Sequence, residues 1–304
     1  MPSTPCPAAA AAPTHYENFP VASWLCPPRL RPPIAAIYAF ARTADDIADE
    51  GEADAGQRLA DLRAFRAELA AAARAAAPSP RWPEVFGPLA QAMRDFALPE
   101  ALLADLLSAF VQDIEKTRDG AGYADRAELL EYCVRSANPI GRLLLHLYGV
   151  DDAQALARSD AICSALQLIN FWQDLSVDLP RGRCYLPAAE LASHGLAPED
   201  LRGFMPLAPA APPPSAIGLV AAQVAWAREL MNEGAPLVHR LPGRAGWELR
   251  FVVQGGLRIL DKIEALGFDS WSQRPTLGKA DAPRLAWRAL RMRRQSLAMK
   301  SFPR

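Results

Sequence analysis

The stretch Pro32-Pro33-Ile34-Ala35-Ala36-Ile37-Tyr38-Ala39-Phe40-Ala41-Arg42-Thr43-Ala44-Asp45-Asp46-Ile47-Ala48-Asp49-Glu50 reads as one helix. The proline pair suits a first turn, where a missing N–H costs nothing, and no breaker follows until Gly51. Ile34, Tyr38, Arg42, Asp45 and Asp49 recur at steps of three or four and share one stripe. Ile37, Phe40, Ala44 and Ile47 form the stripe beside it. Two carboxylates one turn apart repel, and more so beside an apolar wall where the dielectric falls. A divalent cation resolves that repulsion, because magnesium takes hard oxygen ligands together with substrate phosphate oxygens. Taken alone, the segment also reads as a solvated acidic helix end.

A second stretch repeats the theme. In Leu166-Gln167-Leu168-Ile169-Asn170-Phe171-Trp172-Gln173-Asp174-Leu175-Ser176-Val177-Asp178, the residues Asn170, Asp174 and Asp178 stand at i, i+4 and i+8, with Gln167 just before them. Leu168, Phe171, Trp172 and Leu175 crowd the neighbouring face. A capped or solvated end at Asp178-Leu179-Pro180 is the plainer alternative. If the two acidic stripes face each other, five oxygen-bearing side chains surround one space. Mg2+ held there would polarise a phosphate group as a Lewis acid, and the apolar flanks would line a pocket suited to a hydrocarbon chain. Arg42 and Arg183 offer forked contacts to a leaving diphosphate. Loss of diphosphate in a water-poor cavity leaves a carbocation, which is the chemistry of isoprenoid synthases.

The rest of the chain fits an all-α protein. Helical patterns run over 57–77, 99–116, 125–148 with a break at Ser136-Ala137-Asn138-Pro139, 151–178, 217–241, 246–266 and 283–299; 181–205 is looser, and 78–83 ends a helix. Alternating strand patterns and internal repeats are absent. The length of 304 residues suits about two domains. Short linkers favour one, a single all-α domain over 15–300 after a disordered Ala/Pro-rich tail at 1–14 that lacks the basic start of a signal peptide.

Balanced charge (33 basic, 34 acidic) gives no nucleic-acid footprint. Five scattered cysteines with no C-x-x-C suit a reduced, cytoplasmic protein without a disulfide frame. Nucleotide-binding and serine-hydrolase glycine motifs are missing. None of His15, His146, His194 or His239 has the Glu three residues earlier that a di-iron bundle wants. The end of the chain carries Arg284, Arg288, Arg291, Arg293, Arg294, Lys300 and Arg304 without an acid after Asp281, alongside Trp287, Leu290 and Leu297. Such a basic helix could touch anionic lipid headgroups at the inner membrane face, or could simply be solvated.

Asp45-Asp46-Ile47-Ala48-Asp49 preceded by Tyr38 and Arg42, the Asn170/Asp174/Asp178 ladder, and Arg181-Gly182-Arg183-Cys184-Tyr185-Leu186-Pro187 together resemble the squalene/phytoene synthase family, from about Glu17 to Leu290. The resemblance implies an isoprenoid (terpenoid) synthase helical bundle with a central cavity. It implies Mg2+ held by Asp45, Asp49, Asn170, Asp174 and Asp178, and substrate contacts from Asn18, Tyr38, Arg42, Gln167, Asn170, Arg183 and Tyr185. Catalytic roles fall to Asp45, Asp49, Asp174, Asp178 and Arg135.

The segments 17–23, 136–142, 171–174 and 253–260 further resemble the hopanoid-pathway branch. That branch ionises presqualene diphosphate and lets water quench the rearranged cation, giving hydroxysqualene. Three departures from the wider family stand out: Asn18 where a serine often precedes the phenylalanine, Gln173 where an arginine often precedes the aspartate, and Arg135 where squalene synthases tend to carry a tyrosine. They argue against a simple condensation of two farnesyl diphosphates and allow a more polar cavity that water could enter. Farnesyl diphosphate remains the alternative substrate, a terpene cyclase a further one, and a helical assembly scaffold the alternative outside enzymes.

Overall fold

The computed structural model describes residues 26–76, 80–204 and 211–292. Asn18 and the 17–23 segment, the 1–14 tail, and the basic residues after Met292 lie outside the described residues. Among the described residues every regular element is a helix.

The N-terminal half is built from α1 (Arg31–Asp49), α2 (Ala55–Ala73), α3 (Pro83–Phe96) and α4 (Glu100–Asp119). Asp54 caps α2 by accepting from the Gln57 N–H at 2.8 Å, and Gly120, at φ 62°, ends α4 in the left-handed conformation. The sequence pattern read 78–83 as an ending and gave no helix after it. Pro83 in fact opens α3, and Pro88 lies inside it. A mid-helix proline forfeits one hydrogen bond, and here burial of Phe86, Leu89 and Met93 offsets that loss. Phe40, Phe65 and Phe86 bring α1, α2 and α3 together at ring separations of 4.7–6.1 Å, all three essentially inaccessible to water. Each buried ring contributes about 1.5–3 kcal/mol of transfer energy.

The C-terminal half contains α5 (Arg126–Ser136), α6 (Asn138–Leu147), α7 (Ala153–Gln173), α8 (Leu175–Asp178), α9 (Ala188–Ser193), α10 (Pro214–Gly234), α11 (Gly243–Ala265) and α12 (Ala282–Arg291). The expected break between α5 and α6 is present. The expected 217–241 helix stops at Gly234, where the chain passes so near α7 that a Cβ would sit 2.5 Å from Ile162 Cγ1 and 2.6 Å from the Arg158 carbonyl oxygen. Side chains of α5, α7, α10 and α11 form a second buried core, distinct from the one around Phe40. Thus α1 packs on α2, α3 and α4, whereas α7 packs on α10, α6 and α11. The two acidic helices belong to opposite halves, and what lies between them is set by how the halves meet.

Candidate active site

Each acidic helix carries apolar residues first and oxygen-bearing residues last. On α1, Ile34, Ile37 and Tyr38 line a cavity of about 220 Å³, and Arg42, Asp45 and Asp49 follow. On α7, Ile162 and Cys163 line the same cavity, and Gln167, Asn170 and Asp174 follow. Leu144 of α6 and Val252 of α11 close its sides. The cavity therefore spans both halves, and on each helix the acidic end follows the residues that line it.

At that acidic end Arg183 makes the link. The left-handed Gly182 (φ 78°) turns the chain after Pro180-Arg181, so that the Arg183 N–H donates to the Asp178 carbonyl at 3.0 Å. The guanidinium then reaches across to α1 and grips the Asp49 carboxylate with both Nη atoms, one at 2.7 Å. A second pocket of about 260 Å³ opens here, lined by Asp49, Arg58, Asp113 and Arg183. Arg58 donates to the carbonyls of Gly51 and Ala53 at 2.9 Å and so fixes the turn that ends α1.

The remaining acids are held by arginines as well. Arg42 bridges Asp45 at 3.3 Å and both Asp46 and Glu50 at 2.7 Å, within its own helix and the residue that caps it. Asp174 is clamped by Arg274, which lies in the connection between α11 and α12: Nε to Oδ1 at 2.5 Å and Nη2 to Oδ2 at 3.0 Å. Gln173 is buried and donates from Nε2 to the Pro275 carbonyl at 2.7 Å, pinning that connection beside Asp174. Gln173 thus anchors the connection that carries the arginine clamping its neighbour.

The expected continuous 151–178 helix is interrupted at Asp174, whose φ of −105° and ψ of 16° leave α7 and start the short α8. Asn170 and Asp174 still sit one turn apart, and Asp178 turns toward Arg183. Burial, reinforced by the Asp174 charge, pushes the Asp178 carboxyl up to about 7.

A buried acid that the sequence pattern did not single out completes the group. Asp113 of α4 accepts a hydrogen bond from the Tyr132 hydroxyl, and burial pushes its carboxyl up to about 7, with Asp49 and Asp45 adding to the rise and Arg183 opposing it. Tyr185 stacks on Phe171 at 3.7 Å and 8°, with Tyr123 and Tyr132 within 6.2 Å, forming an aromatic wall beside these acids. Arg135 of α5 donates to the Gln112 side chain, next to Asp113.

The structure therefore brings Asp45, Asp49, Asp174, Asp178, Arg183 and Tyr185 into one neighbourhood where α1 and α7 end, with Asp113 near Asp45, Asp49 and Arg183. The five expected ligands do not form a ready-made cage: among the described residues no three His, Cys, Asp or Glu side chains converge on one point. They stand as arginine-clamped carboxylates on two walls. A small hard cation suits that donor set, since magnesium binds through one or two carboxylates, keeps waters and takes phosphate oxygens. The charges of Asp174 and Asp49 add to the rise that burial gives the Asp178 carboxyl, a repulsion that a cation would relieve.

Comparison with known proteins adds the lineage. The squalene/phytoene synthase family model matches residues 12–287. A hydroxysqualene synthase of Rhodopseudomonas palustris is 34% identical over 250 residues, 82% of this chain and 80% of the relative. A presqualene diphosphate synthase of the same organism is 30% identical over 281 residues, covering 91% of this chain and 94% of the relative. Among solved structures, the squalene synthase HpnC of Alicyclobacillus acidocaldarius superposes with a TM-score of 0.73 at 34% identity, covering 84% of this chain and 90% of that one.

Proposed function

Because the chain belongs to the squalene/phytoene synthase family, with the isoprenoid synthase fold of its relatives, we propose that it converts presqualene diphosphate and water to hydroxysqualene and diphosphate. The observation that carries this reading is the meeting of Asp49, Asp178 and Arg183 where α1 and α7 end, the two helices that wall an apolar chamber from opposite halves. The hydroxysqualene synthase relative supports the choice of product.

The apolar chamber would take the hydrocarbon chains and keep bulk water away from the cation. Arg183 and Arg42 would exchange their carboxylate partners for oxygens of the departing diphosphate, and Arg274 stands ready to do the same from the opposite wall. Magnesium held by Asp45 and Asp49 on one side and Asn170, Asp174 and Asp178 on the other would supply the positive charge that makes diphosphate a good leaving group. Breaking the C–O bond leaves the electron pair on diphosphate and a cyclopropylcarbinyl cation in the chamber. That cation rearranges, one water adds, and one proton is released. Phe171 and Tyr185 stack face to face beside the acids. Arg135, bonded to Gln112 beside Asp113, would be the polar group that admits water.

A second reading is favoured by the presqualene diphosphate synthase relative: head-to-head condensation of two farnesyl diphosphates. Purified protein given presqualene diphosphate with magnesium should yield hydroxysqualene by mass spectrometry, and farnesyl diphosphate alone should yield no C30 product. Consumption of farnesyl diphosphate alone would establish the second reading in its place. A cytoplasmic location with the basic α12 resting on the membrane belongs to the same proposal. It is supported by the free state of the four described cysteines and by the arginines of that helix; no described helix is long and apolar enough to cross a bilayer.

A further inference from the structure

The largest exposed apolar side chains cluster on one face shared by α11 and α12. Trp247 and Phe251 stand one turn apart on α11, each 39% exposed; Trp287 and Leu290 stand one turn apart on α12, at 56% and 63%. Ala289 turns the opposite side of α12 inward, and Arg250 of α11 donates to the Ala289 carbonyl at 3.1 Å, so the two helices hold these residues side by side. Single exposed apolar residues need no explanation, whereas two large apolar pairs on adjoining helices do.

The same face is basic. Arg250 lies over the Trp247 ring at 4.4 Å and Arg291 over the Trp287 ring at 4.2 Å. Arg244 and Arg284 are exposed on the same two helices. Of the acids on α11, Glu248 lines the chamber, Asp261 is bonded to Arg228, Arg284 and Arg288, and Glu264 to Arg228; Asp281, just before α12, is bonded to Arg258 and Lys262. The chain continues after Met292 with Arg293, Arg294, Lys300 and Arg304 and no acid. Aromatic rings paired with arginines, beside acids that line the chamber or are already bonded, match a bilayer interface, where the rings sit among headgroups and the cations meet anionic lipid. A protein partner of the same charge complementarity would have to be acidic and flat; the α11 neighbours argue for lipid. Glu248, Leu249 and Val252, interleaved with Trp247 and Phe251 on α11, line the apolar chamber. One helix therefore walls the chamber with one side and presents aromatic rings to the exterior with the other.

We propose that the joint α11–α12 face, led by Trp247, Phe251, Trp287 and Leu290, docks the protein on an anionic bilayer with the chamber wall next to the lipid. This extends the membrane contact proposed above from the basic helix alone to an aromatic face on α11, and it does not depend on which diphosphate the site accepts. The use would be direct exchange of hydrocarbon between chamber and membrane.

The test is sedimentation of the full chain with vesicles of phosphatidylglycerol mixed with phosphatidylcholine, at low and high salt, without substrate. The wild type should bind the mixed vesicles, bind pure phosphatidylcholine far less, and lose binding as salt screens the arginines. Trp247→Ser with Phe251→Ser should weaken partitioning roughly tenfold although every arginine remains. Trp287→Ser with Leu290→Ser should act similarly. Both variants should keep wild-type turnover in detergent solution and an unchanged circular dichroism spectrum, which separates docking from folding and from the reaction assignment. Absence of wild-type binding at low salt, or equal binding by the Trp247/Phe251 variant, would overturn the proposal. So would a wild-type dimer in solution that this variant converts to monomer, which would assign the face to a second copy of the chain.

Discussion

Arg183 grips Asp49 through both Nη atoms across 134 residues of sequence, and this ion pair joins the two acidic walls. Its partners are half-buried, with side chains 18% and 29% exposed. An ammonium in place of the fork would keep the charge and lose the two-point geometry. Arg183→Lys should therefore lower kcat roughly a hundredfold, with little change in thermal stability, as steady-state kinetics and a melting curve would measure.

Asp49→Asn and Asp174→Asn each remove the charge of an arginine-clamped carboxylate while preserving its shape. Each should abolish magnesium-dependent diphosphate release and leave the helical far-ultraviolet signal intact. Near-normal turnover by either variant would remove that residue from the proposed ligand set.

Arg274→Ala tests the clamp on Asp174. Losing the forked contact to Asp174 should lower turnover about tenfold to a hundredfold. Gln173→Ala should reproduce part of that loss, because the Pro275 carbonyl would be released and Arg274 would lose its placement. A Gln173→Ala enzyme as active as the wild type would show that Arg274 is held by other contacts.

Asp113 and Asp178 carry the pH dependence. Burial raises both carboxyls from an unfolded value near 3.8 to about 7, so the folded chain binds more protons between those values than the unfolded chain. Their contribution to stability is complete below the unfolded value and is lost as pH rises through the folded one. Metal-free protein should thus melt at lower temperature at about pH 8 than at about pH 5, and Asp178→Asn should flatten the change. Magnesium should raise the melting temperature more at the higher pH, where the carboxylates are ionised. Activity should climb through the same range for the same reason.

Phe65→Ala tests the core of the N-terminal half. Phe65 is fully buried between Phe40 and Phe86, and its loss should destabilise the protein by about 3–5 kcal/mol. Urea unfolding would measure it. The effect on kcat at low temperature should be small, because Phe65 touches neither pocket.

The sequence by itself determined that the protein is helical, where most helices begin, and which residues of the two acidic stretches share a face. Those are local properties: spacing at 3.6 residues per turn, proline at a first turn and Asp at a cap act within a few residues. Helix α3 escaped because Pro88 gives a local signal to stop, and burial of Phe86 and Leu89 against α1 and α2 outweighs it. Only the tertiary structure decided what the acids face. Asp113 sits in a stretch whose leucine pattern reads as core, and the one available sign was a carboxylate three residues after Phe110 on an apolar face. Arg274 lies in an irregular connection with no periodic signal, 100 residues from the Asp174 it clamps. Such pairings are fixed by how two separately packed halves close on each other, a relation between distant surfaces that no local rule of the chain encodes.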